Sequence, residues 1–386
     1  MIDYIKNKLL YKNKYKTHSE AIVITCFFNP QNSPYRLKAF NTFYESIEHL
    51  NHKVIECVIG GSKPQLPENG FIQRVYTDNL LWHKESLLNK IVAELPEKYK
   101  YIFWVDADVI FTNKNWLIDG VNELKTKTII QPFEYCVHLD RDEARPSYNL
   151  EKFKNIYGER HPRVWRSFCA NYVTNPANHK SETYDVHGHV GFAWGARREV
   201  LDAVPLYDRA LIGGADHIIA HAAAGQIAHS CITKSFTENI EEVNLWSEKF
   251  YRVVNGNIGY VKGDLYHIWH GDIEKRQYLK RIQDFTPKTK QIVNKDKNGL
   301  YVTNKKDDKY VSDYFKHREV SPDDGFVESM VLGYVTDSTV LGTLGGGNMV
   351  GAMIGDMLND GNDKTETPHT HTQIDTIQNT QNENFS

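Results

Sequence analysis

The feature that most constrains the fold is residues 101–112, YIFWVDADVIFT, where two aspartates interrupt an apolar run. A run of this length, bounded by Lys100 and Thr112, is typical of a strand buried on both faces of a sheet. Burying Asp106 and Asp108 there is costly unless a partner offsets their charge. Because side chains two residues apart on an extended chain point to the same side, we expect both carboxylates to face one divalent cation. The alternative is a turn with two solvated carboxylates.

Predicted strands and helices alternate along the first part of the chain. Strand-like runs occur at residues 21–28, 53–59 and 71–76, and amphipathic helical patterns at 35–50 and 84–95. Alternation at this spacing predicts βαβ units around a mainly parallel sheet. Ligands bind such sheets at the carboxyl ends of the strands. We therefore expect the end of the first strand and the aspartate pair to open into one crevice.

The aspartate pair after an aromatic-rich strand resembles the Asp-x-Asp motif of glycosyltransferases with the GT-A fold. The resemblance covers about residues 21–283. It implies an α/β, Rossmann-like GT-A fold with a mixed, mainly parallel sheet flanked by helices. It also implies Mn²⁺ or Mg²⁺ held by Asp106 and Asp108 against the diphosphate of a nucleotide sugar, with Asp106 also bridging to the ribose. A late histidine would complete the metal shell; His270 is our choice and His267 the alternative, although either could simply end a strand.

Donor-binding residues are expected on several of the predicted elements. Residues 187–198, HGHVGFAWGARR, contain three glycines that allow close backbone approach, a tryptophan that could stack on a sugar and arginines that could reach a phosphate. The same stretch also fits a strand feeding a helix, with its tryptophan in the core. The resemblance and the positions along the chain together suggest these donor-binding residues: Thr25, Asn29, Arg36, Lys84, Asp106, Trp194 and Arg197.

A candidate catalytic base lies in residues 211–224, LIGGADHIIAHAAA, which predict a Gly-Gly turn followed by a helix. Asp216 occupies the expected N-cap position, and capping is one role for it. The GT-A resemblance implies an acidic residue near the acceptor hydroxyl here, and an inverting transferase needs a carboxylate to accept that proton. Asp216 is therefore the predicted base, which slightly favours inversion. His217 and His221 have a spacing that permits metal binding, but packed histidines more often show it.

Composition divides the chain into five segments. A Lys-rich arm at residues 1–20 precedes a GT-A-like domain at 21–285, and a charged peripheral segment follows at 286–324. Residues 325–358 are rich in Gly and small apolar residues, with glycines four apart, which predicts a docking or homo-oligomerisation element. Residues 359–386 are polar and rich in Asn, Thr and Gln, so we expect disorder there.

The overall composition excludes several classes of protein. A net charge of −3 gives no general attraction to nucleic acid, and no apolar run is long enough to predict a transmembrane helix. The N-terminus lacks the apolar core of a signal peptide, and the five scattered cysteines predict reduced thiols. We therefore expect a cytoplasmic protein, of a bacterium or of a phage-infected host.

The predicted function is metal-dependent transfer of a sugar, of the hexosyltransferase class, from a nucleotide-diphosphate donor, with UDP as the expected nucleotide, to an acceptor hydroxyl. Two acceptors fit: a surface glycan precursor, or a hydroxymethylated DNA base of phage type, which the basic arm and a Lys/Arg-rich helix at 274–281 would suit. One alternative is a nucleotidyl or phosphoryl transferase using the aspartates for two metals, although no further acidic cluster is evident. Another is a non-catalytic nucleotide- or carbohydrate-binding module.

Overall fold

The computed structural model describes residues 15–154, 161–175, 184–233, 236, 239–271, 291–303 and 305–318. Most of the basic arm, the helix expected at 274–281, the Gly-rich element and the C-terminal tail lie outside the described residues, so their predicted roles remain predictions. None of the helices in the described ranges is long and apolar enough to cross a membrane. The four described cysteine side chains, Cys26, Cys57, Cys136 and Cys169, are free thiols.

Strands and helices alternate through the described chain as predicted. The strands are β1 (Ala21–Phe28), β2 (His52–Ile59), β3 (Ile72–Thr77), β4 (Tyr101–Val105), β5 (Val109–Phe111), β6 (Ile129–Gln131), β7 (Tyr135–His138), β8 (Val164–Arg166), β9 (Ala193–Arg197), β10 (Ile258–Tyr260) and β11 (Asp264–His267). The helices are α1 (Pro34–Ile47), α2 (Lys84–Glu94), α3 (Trp116–Leu124), α4 (Phe168–Thr174), α5 (Tyr184–His187), α6 (Arg198–Ala203), α7 (Ala215–Ala223), α8 (Ser230–Thr233), α9 (Ile240–Val254) and α10 (Lys305–Arg318), with a 3₁₀ turn at Leu150–Phe153.

The larger sheet has seven strands in the order β10-β6-β9-β4-β1-β2-β3. Strand β9 runs antiparallel to β4 and β6, and the remaining pairs are parallel. Side chains of β4 alternate between two cores: Ile102 and Trp104 pack with α2 and α9, whereas Phe103 and Val105 pack with α1 and α3. The predicted mixed, mainly parallel α/β architecture with flanking helices is therefore confirmed.

The predicted single strand at residues 101–112 is in fact two strands in different sheets. Strand β4 belongs to the large sheet, whereas β5 belongs to a second sheet of four strands in the order β5-β11-β7-β8. The turn between them is tied down on both sides. The backbone N–H of Asp106 donates to the Phe192 carbonyl oxygen at 2.7 Å, and the Ile268 N–H donates to the Asp108 carbonyl oxygen at 2.8 Å. The two aspartates therefore lie at a junction between sheets, not along one extended strand.

Helix α10, which lies within the predicted peripheral segment, packs one face against the body of the protein. The side chain of Phe315 is fully buried. Its ring stacks on Trp82, with centroids 4.7 Å apart, and meets the ring of Phe28 nearly edge-on at 5.3 Å. The charged residues that made this helix look peripheral include Lys309 and Lys316, which are exposed on its outer side.

We predict that Phe315→Ala lowers the free energy of unfolding by about 3–5 kcal/mol, because a fully buried aromatic ring is removed. Lys316→Ala, one residue along on the exposed side, should change it by no more than about 0.5 kcal/mol. Urea unfolding followed by tryptophan fluorescence measures both. Equal, small changes in the two variants would mean that α10 does not unfold with the rest of the protein.

Candidate active site

A crevice opens at the carboxyl ends of β1 and β4, where the sequence predicted a site. Its walls come from the end of β1, the first turns of α1 and α2, and the turn between β4 and β5. The predicted site residues Arg36, Lys84, Asp106, Asp108 and His270 all line it. The crossover connections of a parallel sheet bring these residues together although they are far apart in the chain.

Three potential metal ligands meet at one side of this crevice: Asp108, His267 and His270. The Nε2 atom of His270 lies 2.9 Å from Oδ2 of Asp108, and the Nε2 atom of His267 lies 3.7 Å from it. The two Nε2 atoms are 3.3 Å apart, and both imidazoles are buried. Antiparallel pairing of β11 with β5 sets His267 opposite Val109, directly after the aspartate turn.

The geometry of this cluster fits a divalent metal ion. Ligands bound at about 2.1 Å lie about 3.0 Å apart in an octahedron and about 3.4 Å apart in a tetrahedron, close to the separations seen here. The second carboxylate oxygen of Asp108, Oδ1, is buried and has no hydrogen-bond partner in the described part of the chain. A cation would satisfy this oxygen, which is otherwise costly to bury. Two imidazoles suit Mn²⁺ better than Mg²⁺, which prefers oxygen ligands.

Both His270 and its alternative, His267, therefore belong to the cluster, whereas the carboxylate of Asp106 pairs with another residue. The Lys84 Nζ atom lies 2.7 Å from Oδ1 of Asp106. The turn that leads from β4 to β5 separates the two carboxylates, so the argument from extended-chain geometry does not apply to them. Metal binding by Asp106 remains a prediction, and His267 takes its place in the three-residue cluster.

The two carboxylates of the motif have opposite electrostatic environments. Burial alone would raise the pKa of Asp108, but His267 and His270 outweigh it and hold that pKa well below its usual range. For Asp106 burial prevails: its pKa rises to about 6, although Lys84 opposes the rise, while Asp216 and Asp108 add to it. Asp108 is thus a permanent anion, whereas Asp106 holds its charge more weakly.

Lys84 connects the motif to the predicted base. Its Nζ atom lies 3.4 Å from both carboxylate oxygens of Asp216 as well as close to Asp106. Burial would lower the pKa of Lys84, but Asp106 and Asp216 outweigh it and raise that pKa well above its usual value. The N-cap of α7 is Gly214, in the left-handed conformation with φ of 97°, so the predicted capping role of Asp216 is wrong. Its side chain faces Lys84 instead.

Two predicted donor contacts are wrong because the residues lie elsewhere. Trp194 is fully buried; its ring stacks on Trp104 at 6.4 Å, and its indole N–H donates to the Val190 carbonyl oxygen. It therefore has no face for a sugar, and its core role is the correct one. Arg197 is paired with Tyr101 at the start of β4 because β9 runs antiparallel. Arg197 consequently lies at the amino end of β4, at the opposite end of the strands from the crevice.

Two further predicted donor contacts have structural roles. Thr25 is only 1% exposed within β1, so it is shielded from the crevice. The side-chain amide of Asn29 donates to the Ser33 carbonyl oxygen and to Gln65 Oε1, and its oxygen accepts from the Ser33 N–H. Asn29 thereby fixes the turn that leads into α1. The predicted contacts of Thr25 and Asn29 with the nucleotide-sugar donor are not supported by this geometry.

The sequence did not reveal the unusual state of Glu85. This residue follows Lys84 in the first turn of α2 and is 4% exposed. Burial raises the pKa of Glu85 to about 8; Lys84 opposes this rise, and Asp216 contributes to it. An acidic residue in a first helical turn is ordinary in sequence, so only the tertiary packing distinguishes it.

Comparison with known proteins adds distant matches. No protein-family model and no curated protein matches the chain. Glucosyl-3-phosphoglycerate synthase from Mycobacterium tuberculosis, solved with Mn²⁺, UDP-glucose and phosphoglyceric acid, is 11% identical with a TM-score of 0.33, covering 72% of this chain and 82% of its own. Drosophila β1,4-galactosyltransferase 7, solved with manganese, UDP-Gal and xylobiose, is 9% identical with a TM-score of 0.29, covering 80% and 79%.

A third matched structure belongs to another class of enzyme. 4-Diphosphocytidyl-2C-methyl-D-erythritol synthase from Anaerococcus prevotii is 8% identical with a TM-score of 0.29, covering 80% of this chain and 99% of its own. Identities and TM-scores as low as these carry no inference about activity. The function proposed below therefore rests on the geometry of the site.

We predict that Glu85→Gln stabilises the protein increasingly as the pH rises from about 4.5 to about 8. Because the folded-state pKa is raised, the stability that the Glu85 carboxyl contributes is complete below its unfolded-state pKa and is lost as the pH rises through about 8. The variant does not suffer this loss. Its relative gain should approach about 5 kcal/mol, since the folded-state pKa lies about 3.5 units above 4.5 and each unit corresponds to about 1.4 kcal/mol.

Urea unfolding at a series of pH values, with EDTA present, measures this gain. Glu94→Gln, on the exposed side of the same helix, serves as the control and should show no such trend. A Glu85→Gln difference that stays constant across the pH range would contradict the burial argument.

Proposed function

We propose that this protein is a metal-dependent glycosyltransferase of the GT-A type that uses a nucleotide-diphosphate sugar, with UDP as the nucleotide. The observation that carries the proposal is the convergence of Asp108, His267 and His270 on one point of a crevice that Lys84 and Arg36 also line. A metal cluster and two cationic side chains in one crevice suit an anionic ligand with several phosphate oxygens.

Each charged group has a role in this proposal. A divalent ion held by Asp108, His267 and His270 would supply positive charge to the departing diphosphate. Lys84 offers its ammonium group to the same phosphates, in exchange for part of its contact with Asp106. The Asp106 carboxylate, relieved of that partner, is then able to accept hydrogen bonds from the donor ribose.

Asp216 is the proposed general base. Its side chain is 23% exposed, so the carboxylate is accessible, and it contacts the same Lys84 Nζ atom as Asp106. A methyl group at position 191 would lie 3.6 Å from Oδ2 of Asp216, so Gly191 leaves room beside this oxygen. An acceptor hydroxyl seated there would transfer its proton to Asp216 as it attacks the donor sugar, which corresponds to an inverting reaction.

The alternatives from other classes differ in what they require. A nucleotidyl or phosphoryl transferase with two ions needs additional carboxylates around them. Among the described residues, the group of three or more potential metal ligands is Asp108 with two histidines. A non-catalytic binding module would bind UDP without releasing it from a UDP-sugar. Both acceptor classes remain open, because the arm and helix that favoured DNA lie outside the described residues.

We predict that Mn²⁺ and UDP together raise the melting temperature, and that Asp108→Asn weakens the Mn²⁺-dependent binding of UDP at least about tenfold. The substitution removes the one anionic ligand of the cluster while keeping its shape. Asp142→Asn, at an exposed carboxylate that pairs with Lys38, is the matched control and should bind like the wild type. Isothermal titration with UDP, with Mn²⁺ and with EDTA, measures the affinities.

Catalysis is tested by following UDP release from UDP-glucose, UDP-galactose and UDP-N-acetylglucosamine in parallel. The wild type should hydrolyse at least one of them slowly in the presence of Mn²⁺, and Asp108→Asn should not. Full activity in the metal-stripped protein or in Asp108→Asn would show that the metal assignment is wrong. Mn²⁺-dependent binding of UDP without release from any donor would favour the binding module.

A further inference from the structure

One residue that lines the crevice, His83, is a histidine that the proposed chemistry does not use. His83 lies between β3 and α2, lines the crevice and is 2% exposed. Its Nε2 atom is 3.0 Å from the carbonyl oxygen of Asn79. A carbonyl oxygen can only accept, so Nε2 carries the proton and Nδ1 presents a lone pair. Burial lowers the pKa of His83 to about 4, so the imidazole is neutral at pH 7.

The lone pair on Nδ1 of His83 has no hydrogen-bond donor among the residues that the structure describes. A buried acceptor without a donor is costly, and buried polar groups in folded proteins are nearly always paired. His83 starts α2 in the N-cap position, yet its side chain makes no capping hydrogen bond. The missing donor is therefore expected to come from a ligand in the crevice.

Aromatic side chains flank this histidine. Trp82 and Phe28 line the same crevice, and both are half-buried. The ring of Phe315 packs against both, stacked on Trp82 with an interplanar angle of 23° and nearly edge-on to Phe28. Flat aromatic groups held in this way suit a planar ring, because stacked aromatic pairs gain energy beyond area burial. A ligand here thus needs a planar ring that also presents an N–H donor.

We propose that Phe28, Trp82 and His83 form the nucleobase subsite of the crevice, with Nδ1 of His83 accepting the ring N3–H of uracil. This inference rests on the proposed function, because it places the base of the same UDP donor. Lys84, the proposed phosphate contact, follows His83 directly in the chain and lines the same crevice. Cytosine and adenine present a ring lone pair where uracil presents N–H, so two acceptors would face each other and those bases are disfavoured.

The wild-type protein itself provides the sharpest test, by titration with nucleotide analogues in the presence of Mn²⁺. N3-methyl-UDP lacks the donor and should bind about tenfold or more weakly than UDP, whereas 5-methyl-UDP keeps N3–H and should bind like UDP. CDP and ADP should bind more weakly than UDP. Equal binding of N3-methyl-UDP and UDP would overturn the subsite, and tighter binding of CDP, ADP or GDP would overturn the assignment to uracil.

A second measurement assigns the effect to His83. His83→Phe keeps a planar ring but removes the acceptor, so UDP should bind about tenfold more weakly and the preference for UDP over N3-methyl-UDP should disappear. The melting temperature of the ligand-free variant reports whether it folds. A folded variant that retains the preference would overturn the role of His83. Absence of any Mn²⁺-dependent UDP binding in the wild type would instead contradict the proposed function.

Discussion

The half-buried carboxylate of Asp108 is the constraint on which the rest of the site depends. It lies where the chain leaves the seven-stranded sheet and enters the four-stranded one, and its Oδ1 atom is shielded from solvent. The protein offsets this cost with two imidazoles, one at the end of β11 and one three residues later, and Oδ1 still lacks a donor among the residues that the structure describes. An anion whose buried oxygen has no donor favours binding of a cation, which explains why a metal site suits this junction.

Positively and negatively charged side chains lie next to one another along the crevice. The histidine cluster holds Asp108 ionised, while Lys84 lies between Asp106 and Asp216 and neutralises part of their mutual repulsion. In such a network the ammonium group is already dehydrated and oriented before a ligand arrives. A phosphate that competes for Lys84 therefore meets a fixed charge and does not have to order a mobile one. The same network holds the proposed base near the donor.

The C-terminal part of the described chain contributes to the crevice through its packing. Helix α10 buries Phe315 behind Trp82, and the chain before it donates from the Thr303 N–H to the Asn79 side chain. Asn79 also supplies the carbonyl oxygen that fixes the tautomer of His83. A segment whose composition looked peripheral thus orients the wall where we place the nucleobase. Stability of this helix and affinity for the nucleotide are consequently expected to be linked.

The sequence by itself determined several of the elements and where a crevice would form. Strand β1 has its predicted bounds, α2 begins at Lys84 as predicted, and the strand ends form the crevice, because hydrophobic periodicity is encoded over a few residues. Only the tertiary structure decided which side chains meet. Because β9 is antiparallel, Arg197 lies at the end of the strands opposite the crevice. The turn between the sheets places Asp108 beside both histidines and Asp106 beside Lys84. Strand direction and inter-sheet turns depend on long-range pairing, which local patterns do not specify.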